Sequence, residues 1–193
     1  IIDTEKKAIA TDPTSKTTEE TRIDEPETAN AMLNRSFPGD CRLECKIYIP
    51  QKYGAAIGII ISAKNEKLSG SFGYMFKIGS PAEPGAKIYK GEVLIAEAPE
   101  AILSPDRWHN ISVQRSGNNL SMSVDGVGIL QFNDETIIKD DTYDKVAFIA
   151  RNGRAYIDDL RIFSPGSSLH MLENMLDLAD NFYRHKRIDW AQR

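Results

Sequence analysis

Acidic side chains are the first candidates for chemistry in this chain of 193 residues. Retaining glycosidases use two carboxyl groups about 5–5.5 Å apart, and on one strand face that distance needs two acidic residues with one residue between them. Glu97 and Glu100 are not in this register, and Glu44 stands alone. Asp158 and Asp159 are adjacent, so we expect them to point to opposite faces of a strand. A pair assembled from distant strands would leave no trace in the sequence.

Aromatic and polar side chains are the second candidates, because a sugar ring stacks on an aromatic face while polar groups at the rim bond its hydroxyls. We expect Tyr48 on the solvent-facing side of a strand and Tyr53 in a loop. The candidate sugar-binding residues, each of which also fits ordinary sheet packing, are Tyr48, Tyr53, Tyr74, Tyr89 and Arg151.

His109 is a candidate acid or base, but the alternative is that it lies at the sheet surface beside a core Trp108. Cys41 and Cys45 lie four residues apart in a predicted strand, which separates them by roughly 13 Å on one face. A disulfide needs Cα atoms within about 7 Å, so we expect two free, buried core residues.

The elements that must position these residues begin with a predicted β-meander from Asp106 to Phe132. Its middle strand alternates strictly, so Leu120, Met122 and Val124 share one face. Asp125-Gly126 is a strong signal for a two-residue hairpin. We expect Trp108 in the core of this meander, where its replacement by alanine would cost about 3–5 kcal/mol.

The flanking segments predict further strands. Residues 41–49 alternate between apolar and polar, which indicates a strand with one solvated face. Residues 55–62 are continuously apolar, as expected for a strand buried on both sides, whereas 11–30 is a predicted polar loop. Ten or eleven short strands at this spacing predict an all-β, two-sheet antiparallel sandwich in residues 1–165.

After Pro165 the apolar period changes from two to three and four residues, which predicts an amphipathic α-helix over 168–186 within a C-terminal appendage, 166–193. Its apolar stripe contains Leu172, Met175, Leu176, Ala179 and Phe182. The stripe is expected to pack either on the sandwich or on a partner protein.

The meander and the later A-Y-I-D-D-L-R-I-F resemble a concanavalin A-like jelly-roll sandwich over residues 9–165, of the laminin-G-like or bacterial 3-keto-disaccharide hydrolase-like kind. The resemblance implies an extracytoplasmic domain that recognises a glycan or serves as an accessory module. The alternatives are a glycoside hydrolase, although the family's E-x-D-x-x-E signature is absent, and a structural subunit joined through the tail helix.

The resemblance also implies that an edge of the sandwich holds Ca²⁺ through carboxylates and carbonyls. The candidate ligands are Asp134, Asp140, Asp141, Asp144 and Asp158. None has the spacing of an EF-hand loop, so a solvated acidic connection is the preferred interpretation and calcium binding is the alternative.

The composition of the chain argues against some classes of binding partner. A net charge of -4 argues against nucleic acid, which is bound by basic surfaces. The longest apolar run, residues 55–61, is the length of a strand and far short of the roughly 20 residues that span a membrane. Sequence motifs for serine nucleophiles, phosphate loops, dinucleotides and zinc are missing.

Overall fold

The computed structural model describes residues 2–3, 8–10, 28–33, 35–64, 73–138, 142–151, 154–164 and 167–172. Fourteen strands in these residues form two antiparallel sheets. The strands are β1 (Ile2–Asp3), β2 (Ala8–Ala10), β3 (Thr28–Met32), β4 (Cys41–Tyr48), β5 (Ala56–Ala63), β6 (Tyr74–Gly79), β7 (Ala86–Lys90), β8 (Val93–Ala98), β9 (Trp108–Ser116), β10 (Asn119–Val124), β11 (Val127–Asn133), β12 (Lys145–Arg151), β13 (Tyr156–Ser164) and β14 (Ser167–Leu172).

The large sheet has the order β1-β2-β13-β4-β9-β10-β11, and β14 also pairs with β13. The small sheet has the order β3-β12-β5-β6-β7-β8. The predicted all-β, two-sheet antiparallel sandwich is therefore confirmed for the described residues. Among those residues, the one helical segment is a single 3-10 turn, Gln51–Tyr53, and no helix is long and apolar enough to cross a membrane.

The core lies between the two sheets and is built from side chains of every second residue. Leu43 and Ile47 of β4, Val113 of β9, and Phe76 and Phe148 of the small sheet are all at most 1% exposed. Cys41 and Cys45 lie in the same core as free thiols. Burial raises the pKa of Cys41 to about 12 and raises that of Cys45 as well, so the prediction of two buried, unbridged cysteines is confirmed.

The central strands of the small sheet are buried on their outer face too. Strand β5 has no exposed residue, because Ile57 and Ile59 point into the core while Ile60 points away from it. Ile60 forms a second apolar cluster with Met75, Ile149 and neighbouring residues. The continuous apolar run therefore predicted this strand correctly.

The meander forms as predicted, with one correction to its faces. Asp125 and Gly126 both have positive φ, 50° and 81°, as a type I′ hairpin turn requires. In β9, however, His109 is 4% exposed and faces the core, whereas Trp108 lies half-buried on the outer face. The expectation of a core Trp108 beside a surface His109 was wrong, because β9 alternates with Ile111 and Val113 inward, and this places residue 109 inward with them.

Strand β14 pairs with β13 and extends to Leu172, and the predicted boundary at residue 165 stays a prediction. Residues 168–172, where the helix was predicted to begin, belong to this strand, and the helix over 168–186 stays a prediction. A segment of six residues is too short to distinguish the two-residue period of a strand from the 3.6-residue period of a helix. Leu169 and Met171 also fit the two-residue period. The rest of that prediction, with Met175, Leu176, Ala179 and Phe182, lies outside the described residues.

Candidate functional site

Three aromatic residues stand side by side across the outer face of the large sheet. In the strand register, Tyr156 of β13 is opposite Tyr48 of β4, and Tyr48 is opposite Trp108 of β9. All three lie on the face turned away from the core, because their chain neighbours Ile157, Ile47 and His109 are buried. We call Tyr48, Trp108 and Tyr156 the aromatic row.

The rings of the aromatic row contact one another but remain half-buried. The centroids of Tyr48 and Trp108 are 5.5 Å apart with the planes tilted by 46°, and those of Tyr48 and Tyr156 are 5.9 Å apart at 70°. These separations are typical of favourable aromatic pairs. The Tyr48 hydroxyl donates to Asp106 Oδ1 at 3.2 Å, and the same oxygen accepts from the backbone N–H of Gln51 at 3.0 Å. The row is therefore a supported aromatic surface.

An open depression of about 650 Å³ lies beside the row. It is lined by Tyr48, Pro50, Gln51, Lys52, Asp106, Arg154 and Tyr156. Aromatic faces, an amide and both signs of charge thus meet in one depression.

A second depression, of about 370 Å³, lies on the same face of the sheet, on the side of Tyr48 toward Arg42. We call it the polar groove and define it by the outward side chains of Arg42, Glu44, Lys46, Asn110, Ser112, Gln114, Ser123, Asp159 and Arg161. Amide and hydroxyl groups from β9 and β10 form one side of it, and charged groups from β4 and β13 form the other. The groove is therefore polar along its length.

The charged side of the groove is held by ion pairs. Arg42 Nε lies 3.1 Å from Glu44 Oε1, while Asp159 accepts from Lys46 at 3.3 Å and from Arg161 at 2.8 Å. Partial burial alone would raise the pKa of Asp159, but the Lys46 and Arg161 contacts outweigh it and lower that pKa. Asp159 is thus held as a carboxylate.

Asp159 reaches the groove because β13 contains a bulge. The register against β4 shifts between Asp158 and Arg161, and Asp159 has a φ of 50°. A bulge adds one residue to a strand and redirects a side chain. The expectation that Asp158 and Asp159 point to opposite faces assumed a regular strand. Asp158 is instead partly buried and accepts the N–H of Asp159 at 2.8 Å.

At the far end of the groove, the Arg42 guanidinium lies over the ring of Phe163, with Cζ 4.5 Å from the centroid. This cation–π contact fixes the stem of Arg42 against β13. The outer face of the large sheet therefore has aromatic groups at both ends of a polar stretch.

Of the predicted sugar-binding residues, the structure places only Tyr48 in this site. Tyr74 is fully buried, so it is not a surface contact. Tyr89 and Arg151 belong to the small sheet, where Tyr89 packs partly buried on the second apolar cluster and Arg151 is exposed at the end of β12. The side chain of Tyr53 lies outside the described residues.

Sequence reasoning missed Trp108 and Tyr156 as site residues. The signal that could have found Tyr156 is its alternation with the apolar Ile157, which indicates an outward position in the strand. Trp108 was assigned to the core because of its size, although the alternation of β9 places it outward.

Asp134, a predicted calcium ligand, is committed to a buried network. Its Oδ2 accepts from the Tyr74 hydroxyl at 2.7 Å and from Lys90 Nζ at 2.8 Å, and its Oδ1 accepts from both the N–H and the hydroxyl of Thr136 at 2.9 Å. Burial alone would raise its pKa, but these contacts lower it to about 2. The same network and burial raise the pKa of Tyr74.

Of the other predicted calcium ligands, Asp144 and Asp158 have contacts of their own. The Asp144 carboxylate lies 3.4 Å from Lys145 Nζ, and Asp158 contacts its own backbone neighbour. Asp140 and Asp141 lie outside the described residues. Within the part of the chain that the structure describes, no group of three or more His, Cys, Asp and Glu side chains is arranged to hold a metal ion.

Both ring nitrogens of His109 contact groups of the fold itself. Its Nδ1 lies 2.8 Å from Asp125 Oδ2, and its Nε2 lies 2.9 Å from the Ser104 carbonyl oxygen. Asp125 also accepts from Arg107 and from the backbone N–H of Asn110, each at 2.9 Å. Burial alone would raise the pKa of Asp125, but the contacts with these donors outweigh the effect of burial and lower that pKa. Both ring nitrogens are therefore engaged inside the fold, tying the 104–107 loop to the hairpin turn.

No protein-family model and no curated protein sequence matches the chain. In fold it is similar to a protein of unknown function with a galectin-like fold from Bacillus subtilis, with a TM-score of 0.61 and 12% identity over 85% of this chain and 86% of that one. It is also similar to the carbohydrate-binding module CBM66 from Bacillus subtilis, with a TM-score of 0.56 and 13% identity over 70% and 83%.

A third similar structure is the carbohydrate recognition domain of Emp46p in its potassium-bound form, with a TM-score of 0.53 and 11% identity over 72% of this chain and 79% of that one. At these identities the likeness establishes the fold alone. The chain has a galectin-like sandwich, which is a relative of the concanavalin A-like jelly roll.

Proposed function

We propose that this protein is a non-catalytic, lectin-like carbohydrate-binding module whose sugar platform is the aromatic row. The observation that carries the proposal is the alignment of Tyr48, Trp108 and Tyr156 across three neighbouring strands, beside a depression of about 650 Å³. The similar structures include a carbohydrate-binding module and a carbohydrate recognition domain, which supports the same class of function.

The chemistry of the row suits a sugar ring. A pyranose has apolar C–H faces and a polar rim, so it needs flat apolar partners flanked by hydrogen-bonding groups. The rings of Tyr48 and Trp108 supply the flat partners, and Gln51, Lys52 and Asp106 supply amide, cationic and carboxylate groups around them. Each net hydrogen bond contributes only about 0.5–1.5 kcal/mol, so the expected affinity for a single sugar residue is weak.

Three described carboxyl groups are poorly suited to act as the acid of a glycosidase. A glycosidase needs one carboxyl group whose pKa is raised, so that it donates a proton near neutral pH. Among the described carboxyl groups, those with a clear shift are Asp125, Asp134 and Asp159, and all three shifts are downward. These groups are suited to accept contacts as anions and are poor general acids.

We extend the proposal to location. An extracytoplasmic module, secreted, periplasmic or at the cell surface, would meet glycans directly, and an accessory role in a larger protein of laminin-G-like type fits the same chemistry. Fractionation of the native host, followed by detection of the chain in each fraction, tests the location separately from the binding.

The binding proposal is tested by a glycan array followed by titration calorimetry on the best ligand. Trp108→Ala should weaken that ligand at least about 10-fold, because it removes the central stacking surface beside Tyr48. Tyr89→Ala is the matched control, since it removes a partly buried aromatic ring from the outer face of the small sheet. Equal affinity in wild type and Trp108→Ala would reject the aromatic row, and a loss confined to Tyr89→Ala would move the site to the other sheet.

A further inference from the structure

We infer that the ligand of the aromatic row is a linear glycan that carries anionic groups and lies along the polar groove toward Arg42 and Arg161. The inference rests on the proposed function and specifies the substrate class of the same surface. Its basis is the adjacency of the row and the groove in the strand register, the length of that surface and the placement of its charges.

The surface is long enough for a chain of several sugar residues. Tyr48 and Arg42 stand on the same face of β4, six residues apart, which corresponds to roughly 20 Å at about 3.3 Å per residue. Phe163, which is opposite Arg42 in the register, places a second aromatic ring at the far end. A single sugar at the row would leave most of this surface unused.

The outward residue pairs of β4 and β9 between the aromatic row and Arg42 are polar. In the register across β4 and β9, Lys46 is opposite Asn110, Glu44 is opposite Ser112, and Arg42 is opposite Gln114. Serine and amide side chains both donate and accept hydrogen bonds, which matches the hydroxyl groups of a sugar chain. The direction of the ligand therefore follows the strands, from the row toward Arg42.

The charged side of the groove carries a cationic excess. Arg42, Lys46 and Arg161 supply three positive charges against two negative charges from Glu44 and Asp159, a local balance of +1, whereas the whole chain has a net charge of -4. The cations are accessible, with side-chain exposures of 45%, 44% and 50%. An acidic protein thus gathers cations on the face that holds its aromatic row.

Arg42 and Arg161 also retain donors for a planar anion. Their ion pairs engage Nε of Arg42 and Nη2 of Arg161, and a guanidinium group has five N–H donors. Arginine binds carboxylate and related oxyanions through two parallel hydrogen bonds. Both the carboxylate of a uronic acid and a sulfate ester present such oxygens, so their shared chemistry is an anionic group on the sugar.

Titration calorimetry with three tetrasaccharides of equal length, one neutral, one containing uronic acid and one sulfated, tests the inference. We expect the anionic chains to bind more tightly than the neutral one and to lose that advantage as salt rises. Arg42→Gln and Arg161→Gln should each weaken the preferred anionic chain about 5- to 10-fold, because each removes an exposed charged contact, and should weaken the neutral chain by a smaller factor. Lys87→Gln, which removes one positive charge from the small sheet, is the matched control.

Comparison of the uronate-containing and sulfated tetrasaccharides identifies which anionic group is recognised. Tighter binding of either the uronate or the sulfated chain supports the inference and names the group. Equal affinity for all three chains, or wild-type binding by both arginine variants, overturns the inference while the proposed function stands. If none of the chains binds and the array is also blank, the proposed function fails as well. Thermal melts of each variant verify that the sandwich remains folded.

Discussion

The outer faces of the two sheets differ sharply although both belong to one sandwich. On the large sheet, Arg42, Glu44, Lys46 and Tyr48 alternate with buried residues and remain partly or fully exposed. On the small sheet, the outward Ile60 is as buried as the core, at 0% exposure. The outer face of the large sheet is largely solvated, whereas the central strands of the small sheet are buried on their outer face as well.

The difference follows from the sequence period of the central strands. In β4, C-R-L-E-C-K-I-Y, polar residues occupy every second position, so one face must be solvated. In β5, A-I-G-I-I-I-S-A, both sets of positions are apolar or small. We therefore expect ligand recognition on the large sheet, because the central strands of the small sheet offer no access on their outer face.

The largest expected effect is the cost of truncating Ile60. Replacement of this fully buried side chain by alanine should lower the free energy of unfolding by about 2–5 kcal/mol, since it removes buried methylene groups and leaves a cavity. Ser112→Ala, at an outward position of the large sheet, should stay within about 0.5 kcal/mol of wild type. Urea titrations of both variants measure the contrast. A loss below about 1 kcal/mol for Ile60→Ala would show that the two outer faces are alike.

The next effect concerns the Asp134 network, which joins β6 to the loop after β11. The pKa of Asp134 is about 2 in the fold, against 3.8 for the free side chain. The native state therefore favours the carboxylate form. Its contribution is fully present above about pH 4 and is lost as pH falls toward 2. A difference of almost two units corresponds to about 2 kcal/mol.

Asp134→Asn should thus destabilise the protein by about 2 kcal/mol at neutral pH, and the gap to wild type should narrow as the pH falls from 4 to 2. Urea midpoints measured across that range give the comparison. Glu135→Gln changes the neighbouring carboxyl, which lies at an exposed position, and is the matched control. A gap that stays constant with pH would mean that the Asp134 charge is not what stabilises this end of the sandwich.

Much of the fold is predictable from the sequence, because it depends on the period of apolar residues and on turn chemistry. The solvated face of β4, the doubly buried β5 and the Asp125-Gly126 hairpin all follow from local patterns. Such patterns report which residues share a face. They do not report which strands become neighbours, so the partnership of Tyr156 with Tyr48 had no local signal.

The remaining site features depend on irregular or long-range structure. Asp159 enters the groove through a bulge that no pattern in A-Y-I-D-D-L-R-I-F specifies. Asp134 is buried because Tyr74 and Lys90 reach it from other strands, and composition alone favoured a solvated or metal-binding acidic loop. For Trp108 the error was in the other direction. The size of its side chain suggested a place in the core, whereas the alternation of β9 puts it on the outer face.

The smallest expected stability effect is that of Trp108→Ala, which tests this reassignment directly. A core tryptophan would cost about 3–5 kcal/mol on truncation. Trp108 is only half-buried, and its ring contact with Tyr48 is worth about 0.5–1.5 kcal/mol. We therefore expect a loss of about 1–2 kcal/mol in urea titration.

Phe148→Ala, at a fully buried core position, should lose about 3–5 kcal/mol under the same conditions. If the two variants lost equal stability, Trp108 would be a core residue and the aromatic row would not be a surface. If Trp108→Ala loses little stability but abolishes glycan binding, the exposed part of the indole ring contributes to recognition more than to folding. That outcome is the one expected of a side chain placed on the open face of the large sheet.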